Sequence, residues 1–481
     1  MIAACAVGPG WADSIDEPWG GDWQGTFGSG SHRFQVAFQF WEDFGYYNNL
    51  DDGIYNELVS FGAGDGALDG VTPGGGTIHL DYFPRCPVMT GTFTQGAGKD
   101  GKQSLMGEGV SYPITLTRGS DRLRPRADKS YSYIPPQDLG DGLVPGDLKE
   151  DPARLRRFQA LVQGALHGKY RHLHSLLVLN DGKLLLEEYF YGYGPRDPHP
   201  VQSVTKSIFS LLVGDAVEKG WLDPDDKLQD LFPGPPVSGD ARKGKVTVKD
   251  LLTMTSGIDC DDLSRGKGCS WPMVASSDWG SFALSLPMTR EPGKHFAYCG
   301  ACLSILAEAL QKQSKLPLLA LAQKDLFDPL GIQAPTWWEG PQGAHSPAFG
   351  LSLTPRDMAK IGLLVLQKGE WQGQVVVPKE WIEKSTSPQV KDALGKGLDY
   401  GYLWWERNVI AHGRTRRVVE AWGVGGQYIF IVPDGGVVVV MTGGDAKDSR
   451  ASRRCWDLFK RTFDILEGSH KKTRSPLKKG K

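Results

Sequence analysis

Short extended runs separated by turn residues fill the first quarter of the chain, and helical spacing takes over the middle. Trp23–Phe27, His32–Phe40, Gly76–Tyr82, Met89–Thr94 and Tyr112–Thr117 are β-prone segments. Clusters such as Gly62-Ala-Gly-Asp-Gly66 and Pro73-Gly-Gly-Gly76 punctuate them. The pattern predicts an all-β accessory domain over 18–120, a small antiparallel barrel or sandwich, without a catalytic constellation. Residues 121–150 are polar and rich in Pro, Gly and charge, which predicts a linker. A larger domain is expected over 151–467. It opens with a helix at 152–167 and a hairpin, His174–Leu179 and Lys183–Phe190, turned at Asn180-Asp181-Gly182. Helical patterns follow at 247–254, 299–314, 318–328, 355–368 and 378–384. Extended runs return at Tyr402–Glu406, Val418–Ala421, Gln427–Val432 and Val437–Met441, ahead of a helix at 447–466. Strands at both ends with helices between imply one antiparallel sheet with helices on its faces, an α+β domain.

The stretch with the most chemistry is His199-Pro-Val-Gln-Ser203-Val-Thr-Lys206-Ser-Ile-Phe-Ser-Leu-Leu-Val-Gly214. It reads as a loop entering a helix with an apolar face at Val204, Ile208, Leu211 and Leu212. Ser203 stands at the helix start and Lys206 three residues on, so the two share a face. An amine cut off from water has a depressed pKa and can exchange protons with a hydroxyl. A backbone N–H at the helix start could also serve an oxyanion. The bland reading is a helix cap beside a surface lysine. Ser-x-x-Lys also occurs at Ser264/Lys267, Ser469/Lys472 and Ser475/Lys478. One of these is in a Gly/Asp-rich loop and two in a polar tail, so only the first opens an apolar-faced helix.

The composition narrows the class. The chain has 481 residues, with 54 Lys+Arg against 56 Asp+Glu and a net charge of −2. Near-neutrality gives no footing for nucleic acid or for an acidic membrane surface. The 62 glycines and 15 tryptophans suit a loop-rich enzyme with a cleft. No run approaches the ~20 apolar residues of a membrane helix. Residues 1–17 begin with a short apolar stretch that is similar to the remnant of an export signal, and Ile2-Ala-Ala-Cys5 resembles a lipoprotein processing box that would attach lipid to Cys5. An ordinary N-terminus is the alternative. Export would put the protein in the periplasm or outside the cell, with lipid anchoring or peripheral membrane association as an option. Of seven cysteines, Cys260, Cys269, Cys299 and Cys302 cluster. Without repeated Cys-x2-Cys pairs a zinc site is disfavoured, and no metal or cofactor is expected. Disulfides would fit an exported protein and buried thiols a cytosolic one. Residues 468–481 read as a basic disordered tail. Ser203 lacks a Gly-x-Ser-x-Gly context and no His-Glu-x-x-His occurs, which disfavours α/β-hydrolase and zinc-protease chemistry.

Six segments, taken in order, carry a resemblance. They are His199 to Ser207; Val246-Thr-Val-Lys-Asp-Leu-Leu-Thr-Met-Thr-Ser-Gly257; Glu291-Pro-Gly-Lys-His-Phe-Ala-Tyr298; Phe327-Asp-Pro-Leu-Gly331; Gly350-Leu-Ser-Leu-Thr-Pro-Arg-Asp-Met-Ala-Lys-Ile-Gly362; and Trp422-Gly-Val-Gly-Gly-Gln427. Together they resemble serine hydrolases of the class C β-lactamase and penicillin-binding superfamily, closest to its 6-aminohexanoate-dimer hydrolase and esterase branch. The resemblance implies a β-lactamase-like domain in which Ser203 attacks a carbonyl and Lys206 and Tyr298 form the acid/base pair. A nearby ammonium would then favour the Tyr298 phenolate. The N–H groups of Ser203 and Val424 would form the oxyanion hole. Trp422, Gly423, Gly425, Trp337 and Trp338 are candidates to line the pocket for a small ester or amide, with core packing the alternative for each tryptophan. A Cys260–Cys299 disulfide would brace two site segments.

Two positions depart from the family pattern. Tyr-x-Asn is here Tyr298-Cys-Gly300, and Lys/His-x-Gly is Ala421-Trp-Gly423. Both losses argue against the alternative, a β-lactamase or D,D-peptidase. A non-catalytic binding or sensor protein on the same fold is the second alternative. The substrate, the oligomeric state and the use of the β domain are not encoded in any motif.

Overall fold

The structure is a computed structural model. It describes the strands between residues 21 and 118, and residues 130–468 apart from 233–239, 265, 334 and 445–449. The expected leader with Cys5, and the tail beyond Gly468, lie outside the described residues. Two compact units result. In the first, eight strands from Gly21–Ser29 to Ser111–Arg118 pair antiparallel in chain order. The last returns to the first, with Trp23 opposite Arg118 and Phe27 opposite Ile114, closing a barrel.

The second unit is built on an eight-stranded sheet. In spatial order its strands are Asp399–Tyr400, Trp405–Ala411, Arg414–Gly423, Gln427–Val432, Val437–Gly443, Leu173–Asn180, Lys183–Tyr189 and Val144–Pro145. All pairs are antiparallel except the last. Alternation along each strand feeds two cores. Leu177, Leu179, Ile429, Ile431, Val438 and Val440 face the larger, helix-rich core. Leu176, Val178, Phe430, Val432, Val439 and Met441 face the other, which is covered by helices Pro152–Leu166 and Ala451–Glu467. The 180–183 turn has Asp181 and Gly182 both at positive φ, which a tight hairpin demands.

Helix starts follow local chemistry. Asp151 accepts from the N–H groups of Ala153 and Arg154, with Pro152 in the first turn. Thr247 and Asp250 form a reciprocal capping box for Val248–Leu252. Thr354 caps Pro355–Leu366. The pattern expected at 318–328 is a helix Leu318–Ala322 running into a π-helical turn at Gln323–Phe327. The extended run expected at 418–421 is the centre of a ten-residue strand, Arg414–Gly423, whose polar start hid it from hydropathy.

The expected linker at 121–150 is corrected over its described part. Tyr133, Leu143 and Leu148 are buried. Tyr133 donates to Leu185 O and accepts from Leu148 N–H. Asp141 is bidentate on buried Arg356, at 2.6 and 3.0 Å, and Arg356 also reaches Glu187 at 2.7 Å. Three spaced apolar residues and one ion pair anchor a segment whose average composition is that of a linker.

Candidate active site

The helix Val204–Glu218 places the first two candidate residues. It is not one-faced as its spacing suggested, since every residue from Val204 to Gly214 is buried. Thr205 Oγ1 donates to Gln202 O at 2.6 Å, while Ser210 Oγ is buried without a hydrogen-bond partner among the described residues. Ser207 Oγ donates to Leu403 O at 2.6 Å, and Ser210 O accepts from Trp381 Nε1 at 2.8 Å. Ser203 occupies the N-cap position without making a side-chain cap bond. Its hydroxyl instead accepts from Lys206 Nζ at 3.0 Å. Lys206 is 4% exposed and also donates to Ala348 O at 2.9 Å. Gln202, just before the serine, has φ 51°, a sparsely populated conformation for a non-glycine residue.

Tyr298 arrives from the segment ahead of helix Cys302–Ser314. Its hydroxyl lies near enough to Ser203 for the serine hydroxyl to bear on the phenol's proton affinity. Lys206 Nζ lies over its ring, 4.7 Å from the centroid. Trp405 stacks on the Tyr298 ring at 5.9 Å and 21°, and Tyr400 meets it edge-on at 6.4 Å. Backbone bonds fix the approach, from Ala297 N–H to Met254 O and from Asp262 N–H to Tyr298 O, both 2.8 Å. The structure therefore brings the partly exposed Ser203 together with the buried Lys206 and Tyr298.

Burial governs the protons here. It pushes the Lys206 amine down to about 8, against an opposing pull from Asp262. Burial pushes the Tyr298 phenol up, the Ser203 hydroxyl opposing and the Asp262 charge adding to the rise. The expectation that Lys206 would favour the phenolate is thereby corrected. A phenolate without water costs more than an ammonium over the ring face returns.

The remaining candidates divide. A Cβ on Gly423 would lie 2.5 Å from Val201 O and 3.0 Å from Gln202 Cβ, so the strand end packs directly on the approach to Ser203. Val424 follows, 52% exposed, and Gln427 Nε2 donates to Val424 O at 3.3 Å and to Gly443 O at 2.6 Å, tying down the turn. Gly425 in that turn has φ 86°. Trp422 is partly buried, 5.6 Å from Trp405, and its Nε1 is buried without a hydrogen-bond partner among the described residues. Trp337 and Trp338 support neighbouring segments. Trp337 is 5% exposed and donates to Ser346 O and Phe349 O, bracing the loop that presents Ala348 O to Lys206. Trp338 packs on Trp279 and Phe349.

The cysteines pair as Cys260–Cys269 and Cys299–Cys302, with Cα separations of 5.7 and 5.4 Å. The expected Cys260–Cys299 bridge is thus corrected. The sulfurs of Cys260, Cys269 and Cys299 crowd within 4.8 Å of one another, so each has a nearer partner on its own loop or helix start. Sequence reasoning also missed Asp262, Ser270, Ala348 and Trp405. Ala348 acts through a carbonyl and leaves no signal. For Asp262 the cue was a carboxylate flanked by two of the clustered cysteines.

A family model described as Beta-lactamase matches residues 158–456, more than half of the chain. The chain belongs to the beta-lactamase family. Its enzyme type follows, a serine hydrolase of β-lactamase-like kind. The 6-aminohexanoate-dimer hydrolase of Paenarthrobacter ureafaciens is 25% identical over 286 residues, covering 55% of this chain and 71% of that protein. Monacolin J acid methylbutanoyltransferase of Aspergillus terreus is 28% identical over 152 residues, 28% of this chain and only 37% of that one. Among solved structures, a penicillin-binding protein homologue from Caulobacter crescentus superposes with a TM-score of 0.52 at 16% identity, covering 65% of this chain and 98% of that one. A family VIII carboxylesterase gives 0.52 at 16% identity, covering 64% and 98%. These superpositions show a β-lactamase-family fold shared across different chemistries.

Proposed function

We propose that this β-lactamase-family protein hydrolyses ester or amide bonds through an acyl-enzyme on Ser203. The observation that carries this is the 3.0 Å contact from Lys206 Nζ to a serine hydroxyl released from capping. With its pKa lowered to about 8, roughly a tenth of Lys206 is neutral at pH 7. Neutral Lys206 takes the Ser203 proton as Oγ attacks the carbonyl carbon. The N–H groups of Ser203 and Val424 receive the oxyanion. As the tetrahedral adduct collapses, the Tyr298 phenol protonates the leaving oxygen or nitrogen, and the Lys206 ammonium returns a proton to Tyr298. Water then attacks the acyl-enzyme with the same groups in reverse, releasing the acid and freeing Ser203. Tyr298 works here as a neutral proton carrier, in keeping with its raised pKa.

Gly300 and Ala421 supply neither the amide nor the cation that would meet a β-lactam carboxylate. Trp422 and Trp405 offer an apolar wall beside Tyr298. Both features favour uncharged acyl groups of esters or linear amides, and the relative that acts on a 6-aminohexanoate dimer fits that class. Two disulfides beside the site suit an oxidising compartment, the periplasm or the exterior.

A fluorophosphonate should label Ser203, and Ser203→Ala should abolish labelling. A p-nitrophenyl ester should turn over faster than a short ω-amino-acid amide, and either faster than a chromogenic cephalosporin. Rapid cephalosporin turnover without ester hydrolysis would replace this reading by a β-lactamase. Silence toward probe and all substrates would make the protein a non-catalytic binder.

A further inference from the structure

Position 300 carries no side chain, and another loop fills the space. A Cβ built on Gly300 would lie 2.9 Å from Asp262 Oδ2, 2.7 Å from Ser270 Oγ and 3.2 Å from Ala348 Cβ. Ala348 is the residue whose carbonyl holds Lys206. The Asp262 carboxylate therefore stands where the third side chain of the Tyr-x-Asn pattern would project.

Asp262 is held there on all sides. Its Oδ1 accepts from Cys269 N–H at 3.0 Å and Ser270 N–H at 3.1 Å. Its Oδ2 accepts from Ser270 Oγ at 2.7 Å and Gly300 N–H at 2.8 Å. Its own N–H donates to Tyr298 O at 2.8 Å. The Cys260–Cys269 disulfide closes the loop around it, and Cys299–Cys302 closes the turn that contains Gly300. Four donors and a covalent closure are a large investment of structure in placing one carboxylate.

We propose that Asp262 is a positioning residue for the reaction at Ser203: from its disulfide-closed loop it occupies the place left by Gly300, fixes the main chain at Tyr298 and supplies the negative charge against which Lys206 works. The inference rests on the acyl-enzyme reading above. Among the described residues, the ionisable or proton-bearing groups around Lys206 are Ser203, Tyr298 and Asp262, with Tyr400 flanking Tyr298. Asp262 is the charge that bears on both Lys206 and Tyr298. Removing it lets Lys206 shed its proton at lower pH.

The test is the second-order rate of fluorophosphonate inactivation against pH, read by intact mass, for the full chain and its variants. In the wild type the rate rises through the Lys206 ionisation. Asp262→Asn should move that limb acidward by about one pH unit, the size of effect one close charge exerts. Asp262→Glu and Ser270→Ala, which keep the charge, should leave the limb in place while slowing the rate. Asp262→Ser removes the charge without setting a second donor against Gly300 N–H, and serves the same comparison if the amide does not fold. A limb that stays put in the charge-removing variants, or moves equally in Ser270→Ala, overturns the proposal. A wild type that is not labelled at all overturns the Ser203 reading itself, and that is a different result.

Discussion

Lys206 shows how much one buried amine can reveal. Its pKa falls from 10.5 to about 8 because its ammonium has almost no water. Folding therefore disfavours the protonated side chain. At pH below 8 both folded and unfolded chains hold the proton and the full penalty applies. Between 8 and 10.5 only the unfolded chain holds it, so stability rises with pH. Lys206→Met should be inactive, yet at pH 7 more stable than the wild type. The gap should narrow by about 1 kcal/mol per pH unit above pH 8. Urea unfolding of both proteins at pH 7, 8 and 9 checks this, and a gap constant with pH would refute it. Gly423 gives a second residue-scale prediction. A Cβ there meets Val201 O at 2.5 Å, backbone against backbone, immediately before Ser203. Gly423→Ala should lower kcat/KM at least tenfold, a loss of about 1.4 kcal/mol in transition-state binding. The far-UV spectrum should stay unchanged.

Among the elements, legibility followed how local the cause was. The 180–183 hairpin and the Thr354-capped helix were readable because two or three adjacent residues decide them. Ser203 and Lys206 were readable for the same reason, lying one helical turn apart. Tyr298 was reached through motif order, but its proton affinity depends on burial by Trp405 and Tyr400, which no spacing encodes. Asp262 and the disulfide pairing were hidden because they depend on how two loops fold back on one another. The 130–150 segment was misread since its anchor, Arg356, lies 215 residues from Asp141. Burial pushes the Asp141 carboxyl up, but the guanidinium outweighs it and holds the group below its usual range. That stabilisation is present above the ordinary carboxylate range and is lost as pH falls through the depressed value. Arg356→Met removes the cation that bridges Asp141 and Glu187. It should cost about 3–5 kcal/mol at pH 7. The cost should shrink as acid protonates the pair, as urea unfolding at pH 7 and pH 4 would show.

At the scale of the whole molecule, the sheet joins the two ends of the second unit. Leu173–Asn180 is flanked by Lys183–Tyr189 on one side and on the other by Val437–Gly443, with Leu176 opposite Met441. The second pairing can form only when the last sheet strand is available. Every residue of Val437–Gly443 is buried, and Val437 to Met441 alternate between the two cores. Helix Ala451–Glu467 follows and covers one face with Leu458, Phe459, Phe463 and Leu466. Closing so long a loop costs entropy that no local contact repays, so refolding should be slow, on the order of seconds or longer. A chain ending at residue 435 would bare one edge of its central strand and most of one core face. It should lose its cooperative urea transition and fluorophosphonate labelling together, although Ser203, Lys206 and Tyr298 all remain. The two losses should coincide because the Ser203 helix shares the larger core with Ile429, Ile431, Val438 and Val440. A truncated chain that still unfolds cooperatively and still labels would mean the site is organised by the helical layer alone, without the sheet beneath it.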